Sequence, residues 1–97
     1  MHKFQSPEID ALFQTILSLK TVEECYLFFE DACTIKELQE ISARLKAAKM
    51  LAAGANYATV CRETGMSTAT ISRVSKCLEY GNGGYKLAIQ RDAEENK

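Results

Sequence analysis

Between Tyr57 and Lys76 the chain reads YATVCRETGMSTATISRVSK, and that order of residues admits few backbone arrangements. Gly65 stands where two helical stretches must reverse direction, and a turn with positive φ costs glycine least. Cys61, four residues earlier, is small enough to let the two helices close. Val60, Met66, Ile71 and Val74 fall at the positions that turn inward to hold the pair together. Ser67 follows the turn and can cap the second helix by accepting a bond from an otherwise orphan backbone N–H. The outward positions of that helix carry Thr68, Ala69, Ser72, Arg73 and Lys76. Two helices about a tight turn are the usual device for setting a helix into the DNA major groove. A fringe of short polar and basic side chains suits base edges and phosphates. The plain alternative is a helical hairpin within an all-α core.

The charge distribution agrees with a nucleic-acid surface in the middle of the chain. Net charge is only −1 overall. Residues 1–35 carry two basic side chains against six acidic ones, whereas residues 36–78 carry seven against three. The basic excess therefore coincides with the helix pair, where phosphate contact needs it. The 97 residues predict one domain over 1–97, with a modest core. No run of 18 apolar residues exists, and the N-terminus MHKFQSPEID lacks the apolar centre of a signal peptide. The four cysteines include no C-x-x-C pair, and the single histidine is His2, so no metal site is expected. Reduced thiols acting as small hydrophobes predict a cytoplasmic setting.

Helix starts are legible upstream and downstream. Ser6-Pro7 opens a first helix whose Ile9, Leu12, Phe13, Ile16 and Leu17 form one stripe expected to be buried. Thr21-Val-Glu-Glu24 is a capping box opening a second helix, apolar on more than one side through Leu27 and Phe28. Such a helix needs more cover than a chain this short supplies, which predicts a second subunit. Thr34-Ile-Lys-Glu37 opens the longest helix, to about Ala53, with Leu38, Ile41, Leu45, Ala48 and Leu51 inward and Gly54 as its stop. Residues 6–53 are thus assigned to dimerisation, and 56–78, with Asn56 as cap, to the helix-turn-helix. Residues 79–97 are expected to form a glycine-rich turn, a short helix from Lys86 to about Ala93 and a fraying charged tail. Tyr80 and Tyr85 flank that turn, either as core anchors or as aromatics docking on a partner or ligand.

From Thr34 onward the order TIKE, Arg44 within ISARLKAAKMLAAG, then GMSTATISR resembles the Trp repressor family. With its YGNGGYKLAI close, the chain is similar to the YerC/YecD-type branch of that family. The resemblance spans about residues 8–93. It implies an all-α, Trp-repressor-like helical bundle with a helix-turn-helix, assembled as an intertwined homodimer. It also implies a sequence-specific transcriptional regulator, a repressor rather than an enzyme, binding double-stranded DNA. Two reading helices would then enter major grooves roughly 34 Å apart and require a near-palindromic operator. A protein-interaction module that keeps the fold without specific DNA binding is the alternative.

By the same resemblance Arg62, Ser67, Thr68, Ala69, Ser72, Arg73 and Lys76 make the DNA contacts. Two basic residues of the repressor's reading pair are replaced here by Ala58 and Cys61, and Arg62 stands one position away. The short side chains at 68, 69 and 72 allow thymine-methyl contacts or water-bridged readout. Arg44 and Arg73 match the arginines between which the repressor holds tryptophan, so tryptophan or another small corepressor is a candidate ligand. Val74 replaces a glycine and Cys77 a serine of that pocket, departures that count against tryptophan itself. Phosphate contact or an exposed ion pair is the plainer role for the two arginines.

Overall fold

A computed structural model describes residues 2–95 and contains six helices: α1 (Pro7–Ser18), α2 (Val22–Ala32), α3 (Ile35–Ala52), α4 (Tyr57–Thr64), α5 (Thr68–Tyr80) and α6 (Gly84–Glu95). No strand occurs among the described residues. None of the helices is long and apolar enough to cross a membrane. The chain divides into two compact units with the boundary between Leu38 and Gln39.

In the first unit the helix starts form where the local chemistry predicts them. Ser6 Oγ accepts the Ile9 N–H at 3.1 Å, with Pro7 at the first helical position. Thr21 Oγ1 accepts the Glu24 N–H at 3.0 Å. The Glu24 carboxylate, however, takes the N–H of Lys20 at 2.8 Å, one residue before the expected partner in a capping box. At the start of α3 the box is reciprocal: Thr34 N–H donates to Glu37 Oε1 at 2.8 Å, and Glu37 N–H donates to Thr34 Oγ1 at 3.1 Å.

No residue of α1 or α2 is buried, which corrects the expectation of a buried stripe. Ile9 and Ile16 are half-buried, Leu12 and Phe13 are exposed, and Leu17 is 78% exposed. Periodicity identifies an apolar face, but only a neighbouring surface can bury it. Ile41 on α3 is corrected likewise, being exposed rather than turned inward.

The Glu37 box has a pH consequence. The Thr34 backbone N–H, and then its hydroxyl, hold the fully exposed Glu37 carboxyl below the usual glutamate value of 4.5. The stabilisation is therefore complete above the unfolded value and is lost as pH falls through the lower folded one. Thermal unfolding followed from neutral pH to below that range should show a shallower acid loss for Glu37→Gln than for the parent chain. Identical acid limbs would contradict the coupling.

The core belongs to the second unit. Ala47 and Ala48 of α3, Val60 of α4, and Ile71 and Val74 of α5 are buried together. Met50, Leu51, Ala55, Cys61, Met66, Tyr85 and Ile89 pack around them. Two alanines in the C-terminal half of α3 leave room for the side chains of α4 and α5 against it. The end of α3 satisfies its carbonyls through Gly54 N–H to Leu51 O and Ala55 N–H to Met50 O, both 3.0 Å, with Gly54 at φ 94°.

Two boundaries differ from expectation. α5 continues to Tyr80, and α6 begins at Gly84, before Lys86, and runs beyond Ala93 to Glu95. Tyr85 and Ile89 anchor α6 on the core, and Lys49 Nζ meets Asp92 Oδ2 at 2.9 Å. These tertiary contacts hold as helix a stretch expected to fray, while Asn96 and Lys97 lie outside the described residues. Tyr85 is thus the core anchor of the aromatic pair, and Tyr80 is 84% exposed.

Candidate nucleic-acid interface

The α4–α5 pair is fixed by bonds at its turn. Asn56 Oδ1 accepts the Thr59 N–H at 2.9 Å and starts α4. Gly65 closes the helix with φ 71° and ψ 7°, its N–H bonded to Cys61 O at 2.9 Å. Thr64 adds two bonds that sequence reasoning missed: its Oγ1 donates to Val60 O at 2.6 Å and accepts the Met66 N–H at 3.2 Å. Ser67 then caps α5, its Oγ accepting the Thr70 N–H at 3.2 Å. Lys46 reaches across from α3 and donates to Glu63 O at 3.3 Å. A cation there meets the negative end of the α4 dipole.

Gly65 carries a testable cost. A Cβ added there meets nothing within 4 Å, so the penalty of Gly65→Ala is confined to the left-handed backbone. We expect a loss of about 1–2 kcal/mol in denaturant unfolding. An unchanged midpoint would contradict this turn geometry.

Behind the pair, Val60, Ile71 and Val74 are buried and Met66 is half-buried, as the inward spacing requires. In front, Ser67, Thr68, Ala69, Arg73 and Lys76 are exposed, and Ser72 is half-buried. Six of the seven candidate contact residues thus line the cap and outer side of one 13-residue helix. Arg62 lies on α4, exposed, with its Nε 3.7 Å from Glu63 Oε1. Its charge is partly offset by that neighbour, although an exposed pair of this kind is worth little.

Arg44 and Arg73, 29 positions apart in sequence, line one pocket of about 150 Å³ together with Thr70, Val74, Cys77 and Tyr85. Paired guanidinium groups suit a carboxylate or phosphate. The rest of the lining fits an amino acid poorly. Val74 belongs to the buried core, the Thr70 hydroxyl lies 3.0 Å from Ser67 Oγ, and the Cys77 thiol is a weak acceptor for an ammonium group. A larger apolar groove of about 550 Å³ adjoins it, lined by Ile41, Leu45, Tyr85 and Ala88 among others.

Comparison with known proteins converges on one group. The family described as Trp repressor protein matches residues 7–93. The protein YerC of Bacillus subtilis (strain 168) is 53% identical over 92 residues, covering 95% of this chain and 88% of that relative. A solved structure of a Trp-repressor candidate from Staphylococcus aureus is 47% identical and superposes with a TM-score of 0.89, covering 94% of this chain and 91% of the other. A TrpR-like protein from Eubacterium eligens ATCC 27750 gives 0.90 at 47% identity, covering 94% of both chains. With its helix-turn-helix, core and coverage all in agreement, the chain belongs to the Trp repressor family, as a TrpR-like protein of the YerC type.

Proposed function

We propose that the protein is a sequence-specific DNA-binding transcriptional regulator, acting in the cytoplasm as a homodimer that represses by occluding a near-palindromic operator. The observation that carries this reading is the outer face of α5. It presents Thr68, Ala69, Arg73 and Lys76 to solvent on a helix locked from behind by Ile71 and Val74. The family match supports it, since that family is one of regulators rather than enzymes. The homodimer draws support from the apolar surface left uncovered on the single chain, including Leu17, Val22 and Ile35, each at least 74% exposed. Large apolar side chains left this open on three successive helices support an association surface. The alternative, a protein-interaction module, draws on the net charge of −1 and on Ala58 and Cys61 standing where the repressor's reading pair is basic.

Short side chains at the groove leave phosphates to supply much of the affinity, so binding should weaken steeply with salt. A fluorescent duplex titrated at 50 and 200 mM salt is expected to lose at least about ten-fold in affinity. A flat response would refute the electrostatic footprint assigned to Arg62, Arg73 and Lys76.

A further inference from the structure

We infer that α5 is set in place by the protein's own side chains, with Val74 as a positioning residue, and that operator binding needs no small-molecule corepressor. This rests on the DNA-binding reading above and specifies its regulation. It departs from the ligand that the family resemblance implies. A corepressor acts only through a difference in affinity between two arrangements of the helix it supports. It therefore needs a place beside that helix that the protein does not fill itself. Val74 fills that place here. Its side chain is 4% exposed and belongs to one buried cluster with Ala47 and Ala48 of α3, Val60 of α4 and Ile71. The same side chain lines the Arg44–Arg73 pocket, so it forms the wall between that pocket and the core.

The space left beside it is small, about 150 Å³ against the roughly 300 Å³ at which ligand pockets begin. Tyr85 packs on the core cluster from α6, and the Thr70 hydroxyl lies 3.0 Å from Ser67 Oγ, so two more lining groups are already held by the protein. Arg44 and Arg73 are both exposed, and among the described residues no buried side-chain nitrogen or oxygen lacks a hydrogen-bond partner. No buried polar group here depends on a ligand for its partner. The adjoining groove of about 550 Å³ touches α5 only at Cys77 and at its Gly81 cap. A molecule lodged there meets the helix beyond Val74, away from Thr68, Ala69 and Arg73.

The test uses the full-length protein and an operator selected from random duplexes. One sample is used as purified. A second is unfolded in guanidinium chloride, dialysed free of small molecules and refolded, with circular dichroism confirming the same helix content. Both should bind the operator equally, and neither should respond to L-tryptophan, to a mixture of the standard amino acids or to the deproteinised small-molecule fraction of a cell extract. Coupling between a ligand and a second site is typically about 5–150-fold, so a loss of about five-fold on stripping, or such a gain with any addition, overturns the inference. That result leaves the DNA-binding reading standing, whereas failure to bind any duplex at low salt under every condition overturns both. Val74→Ala tests the residue itself. It should lose on the order of ten-fold on the operator, two buried methyl groups expressed as a ratio, and much less on a random duplex held mainly through phosphates. Partial unfolding alone would lower both affinities by one factor. Equal loss on the two duplexes, or none on the operator, overturns the role of Val74. The comparison on the parent chain holds whether or not that variant folds.

Discussion

Replacing Arg73 and Lys76 with glutamate is expected to abolish operator binding, with affinity falling on the order of 100-fold or more at physiological salt. The two residues sit three positions apart on α5, both exposed, and so share one side of the helix. Reversal removes two phosphate partners per subunit and installs repulsion in their place. Because neither side chain is buried, the far-UV circular dichroism and unfolding midpoint should stay close to those of the parent chain. Retained binding would move the DNA surface away from α5. Loss of DNA binding separates the regulator from the interaction module, since under the latter partner capture survives the same double substitution.

Ile71→Ala is expected to have the largest effect on stability, about 2–5 kcal/mol. Ile71 is fully buried in one cluster with Val60, Ala47, Ala48 and Val74. Truncation leaves a cavity that two neighbouring alanines cannot fill. Stabilities of whole domains run about 5–15 kcal/mol, and a chain of this length lies toward the low end, so much of the folded population is at stake. Urea unfolding measures the loss, with Glu79→Ala as an exposed control expected to change stability by less than about 0.5 kcal/mol. A loss under about 1 kcal/mol for Ile71→Ala would place the core elsewhere. The same substitution should weaken DNA binding indirectly, because Ile71 is the residue against which the outward face of α5 is held.

What was legible in the sequence follows from the range of the interactions. The Gly65 turn, the caps at Ser6, Asn56 and Ser67, and the Thr34–Glu37 box all involve partners within four residues, so spacing alone exposes them. Glu24 shows the limit even there, because choosing between the Lys20 and Thr21 N–H groups depends on the local backbone path. The Lys46 bond to Glu63 O and the Lys49–Asp92 pair were not legible, since they join residues 17 and 43 positions apart. The extent of α6 has the same cause: Gly84 and the charged end argue locally against helix, while Tyr85, Ile89 and the Lys49–Asp92 pair bind it to the rest of its unit.

The candidate site divides in the same way. The outer face of α5 came from periodicity, because a 3.6-residue repeat that buries Ile71 and Val74 leaves Thr68, Ala69, Arg73 and Lys76 outside. The meeting of Arg44 with Arg73 in one pocket came from family resemblance rather than from any spacing. The partial exposure of Ser72 and the Thr68–Cys61 contact are packing details that no spacing in the sequence reveals.

Selection of bound duplexes from a random library by the purified protein tests the central claim most directly. The regulator account predicts enrichment of one motif with two-fold symmetry, its half-sites about one helical turn apart, recovered in complexes containing two copies of the chain. A folded protein that enriches no sequence over the starting library would contradict it.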